Sequence, residues 1–255
     1  MDRKEAEWRA TTLRRSRPVL RQAAREIGVP HLGRIAHGLA PYIDVPQVRL
    51  TELRRSAFEA HLRAIIDDSF AKADGVTAQP AAPEDDPEYT TRLAQEQPEP
   101  VVLNAVCIAC QGDCCLMGGE RHAFLTSDTI HCQRWKTPGL TKSALLEAYM
   151  SHIPETSTSG SCVYHGPEGC TLDRTLRADI CNSFQCQFRR DLAALIAKRP
   201  GTGAVVAGLS RTHVDDPSAG APYLRVVSVS ADNEVTIHDG LKLPALRKRR
   251  SEREG

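Results

Sequence analysis

Nine cysteines stand between Cys107 and Cys186 in a chain of 255 residues, and none lies outside that stretch. Eight of them form two groups. The first is Cys107, Cys110, Cys114 and Cys115 in CIACQGDCC; the second is Cys162, Cys170, Cys181 and Cys186 in GSCVYHGPEGCTLDRTLRADICNSFQC. Two residues between thiols, as in Cys107 and Cys110, let both converge on one ion while N–H groups of the turn point at the sulfurs. Thiolates packed together repel without a cation between them, so four cysteines within nine residues and four more within twenty-five point to a metal. Eight thiols suffice for two four-thiolate zinc sites, or for one iron–sulfur cluster with four cysteine ligands plus a second site. The expected cofactor is zinc or iron, a 4Fe–4S cluster included.

Individual residues refine this. Adjacent side chains diverge in a helix or a strand, so Cys114 and Cys115 are expected to serve two centres, or one to ligate while the other packs. Cys132, outside both groups, reads as a small apolar residue on a helix. His165, inside the second group, is a candidate nitrogen ligand for a zinc or Rieske-like centre, but with eight cysteines at hand a loop histidine is the favoured reading. Arg177 precedes Cys181 by four residues, and on a helical turn its guanidinium would cover the same face and offset thiolate charge. The competing reading pairs Asp173 and Asp179 with Arg174 and Arg177.

The pattern resembles the bacterial cysteine-cluster proteins of the YkgJ type, a CxxCxxCC family of zinc- or iron-chelating domains related to flagellin lysine N-methylases. The matching residues are Cys107, Cys110, Cys114 and Cys115, then Cys162 and Cys170, then Arg177, Cys181, Phe184 and Cys186. Three residues rather than two separate Cys110 from the Cys114–Cys115 pair, and Ala178 stands where the family has proline after the arginine. The resemblance implies a metal-binding cysteine-cluster protein whose metal is structural or serves in metal handling. Its alternative implication is an iron–sulfur-dependent enzyme that modifies a protein or peptide, of the lysine N-methylase type. A methyl-donor site is not recognisable outside the module, and no GxSxG, Walker or HExxH motif is present, so the non-enzymatic reading is preferred.

The expected fold class is α+β, in five segments that must position these thiols. Residues 1–75 read as a helical N-terminal region: Leu50, Leu53, Phe58, Leu62, Ile65, Ile66 and Phe70 form a stripe behind a Thr51 N-cap. Trp8, Leu13, Leu20 and Ile27 suggest an earlier helix kinked or restarted at Pro18, and a short helix is expected between Pro30 and Pro41. Residues 76–100 hold five prolines, six acids and one base, the composition of a linker. Residues 101–200 are the cysteine-cluster domain, opening on a strand (VVLNAV), continuing through a strand-like HAFLTS and helices from Ser127 or Asp128, over Thr141–Ile153 and over Arg189–Lys198. Residues 201–242 read as a β meander packing on it, and 243–255 as a basic disordered tail.

The charge balance of 33 Lys and Arg against 32 Asp and Glu marks neither a nucleic-acid binder nor an acidic disordered chain. The Arg-rich N-terminal segment interleaves both signs, so its helices read as solvated faces, available to a protein partner rather than to nucleic acid. The N-terminus MDRKEAEWRATTLRR has no apolar core of a secretory signal and no apolar run is long enough for a membrane span, so a cytoplasmic location is the expectation. In that reducing compartment clustered thiols favour metal over disulfides.

Overall fold

The structure, a computed structural model, describes residues 3–74, 91, 94, 96–210 and 223–242. The fold is α+β. In chain order the elements are α1 (Arg3–Glu26), β1 (Ala36–Tyr42), β2 (Gln47–Arg49), α2 (Glu52–Asp74), α3 (Val101–Cys110), α4 (Asp113–Glu120), α5 (Ser127–Lys136), α6 (Lys142–Met150), β3 (Thr156–Thr158), β4 (His165–Gly166), β5 (Gly169–Cys170), α7 (Asp179–Ser183), α8 (Gln187–Ala197), β6 (Ala204–Ser210), β7 (Tyr223–Val229) and β8 (Val235–Lys242). They fall into two compact units, one of Met1–Ile43, Val101–Cys110 and Gln187–Gly255, the other of Asp44–Pro100 and Gln111–Cys186. The expected N-terminal, cysteine-cluster and meander segments do not follow these bounds. Residues 1–75 are divided between the units, and each part supplies core: Val19, Leu20, Ala23 and Ala24 to the first, Phe58, Leu62 and Ile66 to the second.

In the first unit a four-stranded sheet runs in the order β1-β6-β7-β8, with β1 parallel to β6 and the other pairs antiparallel. Alternate residues of a strand face opposite sides. Val205, Ala207, Leu209 and Val226 meet α1, whereas the opposite face of β6 carries Gly208 against the backbone of α3. A sheet covered on both faces needs apolar residues at consecutive positions, which is why AVVAGL is continuous rather than alternating. The expected meander is present as β6, β7 and β8, extended by β1, where a short helix was expected between Pro30 and Pro41. That stretch holds only a 3-10 turn at Leu32–Arg34 before the strand, and Pro41 is tolerated because β1 is an edge strand. VVLNAV is helical, not extended, because α3 packs across β1, β6 and β7; a short apolar run does not reveal its own period. α1 runs through Pro18 without a restart, its buried Val19, Leu20, Ala23 and Ala24 offsetting the lost hydrogen bond.

The last turn of α1 is tied to the sheet by a polar chain. Glu26 Oε2 lies 2.9 Å from His238 Nδ1, and Ser228 Oγ lies 3.0 Å from His238 Nε2. Ser228 is 0% exposed, so the chain is a structural tie with no access for a substrate. Gly208 is a close-approach glycine: a Cβ there would run into the Ala109 carbonyl of α3. Gly208→Ala should therefore cost about 2–3 kcal/mol by overpacking, read as a lower urea midpoint with unchanged slope.

The second unit packs α2 against α5 and α6 around Phe58, Leu62, Ile66, Ile130, Leu145, Tyr149 and Tyr164. Thr51 caps α2, accepting the Arg54 N–H at 3.3 Å, but Leu53 of the expected stripe is 83% exposed. The Arg134 guanidinium lies 3.7 Å from the Phe70 ring centroid and donates to the Ser69 carbonyl at 2.6 Å, joining α5 to α2. Tyr164 donates to the Tyr149 carbonyl and Tyr149 to that of Leu176, both at 3.0 Å. HAFLTS is not a strand: His122, Ala123 and Phe124 all have positive φ (44°, 59° and 60°) and form a left-handed turn, after which Thr126 caps α5. Most of the expected linker, residues 211–222 of the expected meander and the basic tail lie outside the described residues.

Candidate metal centre

The second unit gathers five of the expected ligands. Cys114 and Cys115 open α4 after Gly112, whose φ of +69° only glycine adopts without cost. The Cys115 N–H donates to the Gly112 carbonyl at 2.7 Å, and the Cys162 N–H donates to the Cys115 carbonyl at 3.0 Å, so the second cysteine group is hydrogen-bonded onto the first turn of the helix. Two glycines permit that approach. A Cβ on Gly118 would press on Cys162 Cβ at 3.1 Å, and one on Gly119 would strike the Gly160 carbonyl. Cys170 lies on β5, and Cys181 on α7 places its sulfur 4.0 Å from the Ala123 carbonyl. That carbonyl is set by the left-handed turn, whose three non-glycine residues cost about 1–2 kcal/mol each; strain of this kind collects at functional sites.

The five sulfurs feel one another. The thiols of Cys114 and Cys115 share a hydrogen bond, so the vicinal pair converges where divergence was expected, and this bond, with burial and the nearby Cys162 and Cys170, drives the Cys115 thiol well up. Burial pushes Cys162 up to about 12, reinforced by Cys170 and Cys181 and opposed by a backbone hydrogen bond from Tyr164 and by Arg54. Burial also pushes Cys181 up to about 12, with Cys170 and Cys114 adding to it and Arg177 opposing. A metal reverses this, since a coordinated thiol is deprotonated outright.

Two arginines supply local positive charge. Arg54 donates from Nη2 to the Ser161 carbonyl, beside Cys162. Arg177 donates to the carbonyls of Leu172 at 2.7 Å and Cys170 at 3.3 Å, and its charge acts on Cys181. It reaches Cys181 from an extended residue (φ −71°, ψ 151°) rather than along the helical turn expected for it. Of the residues in the competing reading, Asp173 lies 3.2 Å from His152 and Arg174 lies 3.1 Å from Glu99.

Cys107 and Cys110, one turn apart on α3, belong to the first unit, where Arg189 Nη1 lies 3.5 Å from Cys107 Sγ. Cys186 is half-buried at the end of the second unit, and Cys132 sits on α5, close enough to Tyr149 to act on its hydroxyl. No disulfide joins any of the nine cysteines. Among the described residues no group of three or more His, Cys, Asp or Glu side chains is placed so as to hold a metal ion, and no single helix is long and apolar enough to cross a membrane.

No protein-family model, curated protein or solved structure matches this chain. The resemblance to the YkgJ type therefore rests on the eight cysteines with Arg177 and Phe184 alone.

Sequence reasoning passed over Gly112, Gly118, Gly119, Arg54 and Ser161. The Gly-Gly pair inside an otherwise helical DCCLMGGE was the available signal, because each helical glycine costs about 1 kcal/mol against alanine and needs a reason. Thiols raised this far stay protonated at neutral pH. In metal-free protein at pH 8, Cys115, Cys162 and Cys181 should react with iodoacetamide more slowly than the same cysteines in urea, as peptide mapping would report. The raised folded values also fix a sign: the stabilisation is complete below the unfolded value of 9.0 and is lost as pH rises towards 12.

Proposed function

We propose that the chain is a metal-binding protein whose centre is built on the thiols of the second unit, holding zinc or iron in a structural or metal-handling role. The observation that carries this reading is the convergence of Cys114, Cys115, Cys162, Cys170 and Cys181 from two distant stretches of sequence, with Cys162 hydrogen-bonded onto the turn that bears Cys115. The donor set fits: soft thiolates select zinc, copper(I) or iron–sulfur chemistry. Arg54 and Arg177 would offset the negative charge that several thiolates leave on such a centre. Cys114 and Cys170 are exposed residues, and that exposure favours a metal exchangeable with solutes over one sealed in a core.

Anaerobic purification followed by metal analysis and a visible spectrum tests the reading. Brown protein with iron and labile sulfide supports a cluster, and colourless protein with stoichiometric zinc supports a thiolate zinc site. Protein with neither metal, in which every thiol titrates with the folded chain intact, sinks the proposal. Because the ligating thiols are protonated without metal, loading should release about one proton per thiol, measurable by calorimetry in buffers of different ionisation enthalpy.

A further inference from the structure

Away from the cysteines, α2 carries a row of alternating charge: Arg55, Glu59, Arg63 and Asp67, each four residues from the next. Residues at that spacing form a continuous ridge on a helix surface. The row borders a groove of about 610 Å³ within the second unit, whose other wall is α6 with Lys142, Leu146, Glu147 and Met150. Ile66, 2% exposed, lies at its base beside the half-buried Leu146 and Met150. Three bases and three acids line the groove, so it is neutral as a whole. Glu59 pairs with Arg63 at 2.6 Å and Asp67 with Lys142 at 2.6 Å, both at the surface, whereas the Arg55 guanidinium has no ion pair among the described residues. Exposed pairs of this kind contribute little by themselves, and each carboxylate can take a second cation.

The order of signs selects the occupant. Nucleic acid or an anionic membrane requires an excess of positive charge, and a peptide of one sign would meet as many like charges as opposite ones. A surface with the same alternation, run in the opposite direction, meets every charge with its opposite. We propose that this partner is a second copy of the chain, docked through α2 and the α2–α6 groove as a two-fold dimer. Rows of residues four apart incline to the helix axis, and two helices crossing at roughly −50° set such rows side by side, the commonest packing class in globular proteins. With the two-fold axis between Glu59 and Arg63, the rows run antiparallel. Arg55 then meets the partner's Asp67 and Glu59 meets the partner's Arg63, and symmetry repeats both pairs. Each acid stands between two bases: Asp67 between Lys142 and the partner's Arg55, Glu59 between Arg63 and the partner's Arg63. Sliding one copy by a helical turn would set Arg55 against the partner's Arg63 and Glu59 against the partner's Glu59, so like-charge repulsion fixes the register.

The test is sedimentation velocity of the full chain under reducing conditions, which keep the nine cysteines from linking chains. The wild type should dimerise as concentration rises, and less tightly as salt is added. Arg55→Glu and Asp67→Arg should each weaken the dimer about a hundredfold, because two-fold symmetry makes either change act twice and sets like charges together. Mixing these two variants should restore association as a heterodimer, and combining both changes in one chain should restore the homodimer. That rescue separates an interface effect from a folding defect, since a misfolded variant would not recover on mixing. A wild type that stays monomeric at every concentration reached overturns the proposal. So does a dimer indifferent to both reversals, or a mixture of the two variants that remains monomeric. Metal content is expected to be equal in all these proteins, so each outcome leaves the metal-binding reading as it stands.

Discussion

Cys162→Ser in the full chain is expected to reduce metal affinity roughly a hundredfold, while Cys132→Ser leaves it unchanged. Structural zinc in small thiolate modules is worth about 10–16 kcal/mol, so one ligand of four carries about 3 kcal/mol, which corresponds to that factor. Cys162 is the informative position because the whole assembly passes through it. Its N–H bonds the Cys115 carbonyl, its carbonyl receives the His165 N–H, and its Cβ is what Gly118 makes room for. Serine keeps the volume and the backbone bonds and removes only the soft donor. Competition against a chelator of known affinity gives the number. If the variant holds metal as tightly as the wild type, Cys162 is not a ligand and the centre must be sought among the other thiols.

Gly112→Ala should cost the second unit about 3 kcal/mol. Left-handed backbone costs a non-glycine residue about 1–2 kcal/mol. A Cβ on Gly112 would stand 2.5 Å from His165 Cε1. Forcing a methyl against a ring that cannot retreat adds about 1–3 kcal/mol, and the His165 ring is buried and held at Nδ1 by Ser161. Gly139 provides the control. Its φ is +88° but nothing lies within 4 Å of a Cβ there, so Gly139→Ala bears the backbone cost alone. Thermal unfolding of both variants isolates the ring clash as the difference between them. Equal losses would mean that the imidazole does move, and with it the rigid placement ascribed to His165.

Much of the local structure was legible in the chain itself. Thr51 stands before its helix as the expected hydroxyl cap, and the cap hydrogen bond is made. Phe58, Leu62 and Ile66 keep helical spacing and are buried together. The Val-rich runs after Gly203 are strands because β-branched residues suit a pleated surface. The misreadings concern segments whose own period is ambiguous. VVLNAV is apolar at nearly every position, and only the sheet beneath it makes it a helix; IAHGLAPY pairs as a strand because β6, far along the chain, offers a parallel edge. The left-handed turn at His122–Phe124 has no glycine to announce it, and it persists because Ala123 and Leu125 are buried.

The same division applies to the candidate centre. Thiol chemistry, the two-group layout and the expectation of a soft metal come from residue types and short spacings, which are local quantities. Which thiols meet is decided by hydrogen bonds and close approaches between stretches as far apart as Gly112 and His165, and spacing along a chain does not encode them. The division of the N-terminal helices between two cores follows from which apolar face each helix has to bury. The sequence thus determined that the thiols cluster along the chain, and tertiary packing decided which of them neighbour one another and pressed a buried imidazole onto Gly112.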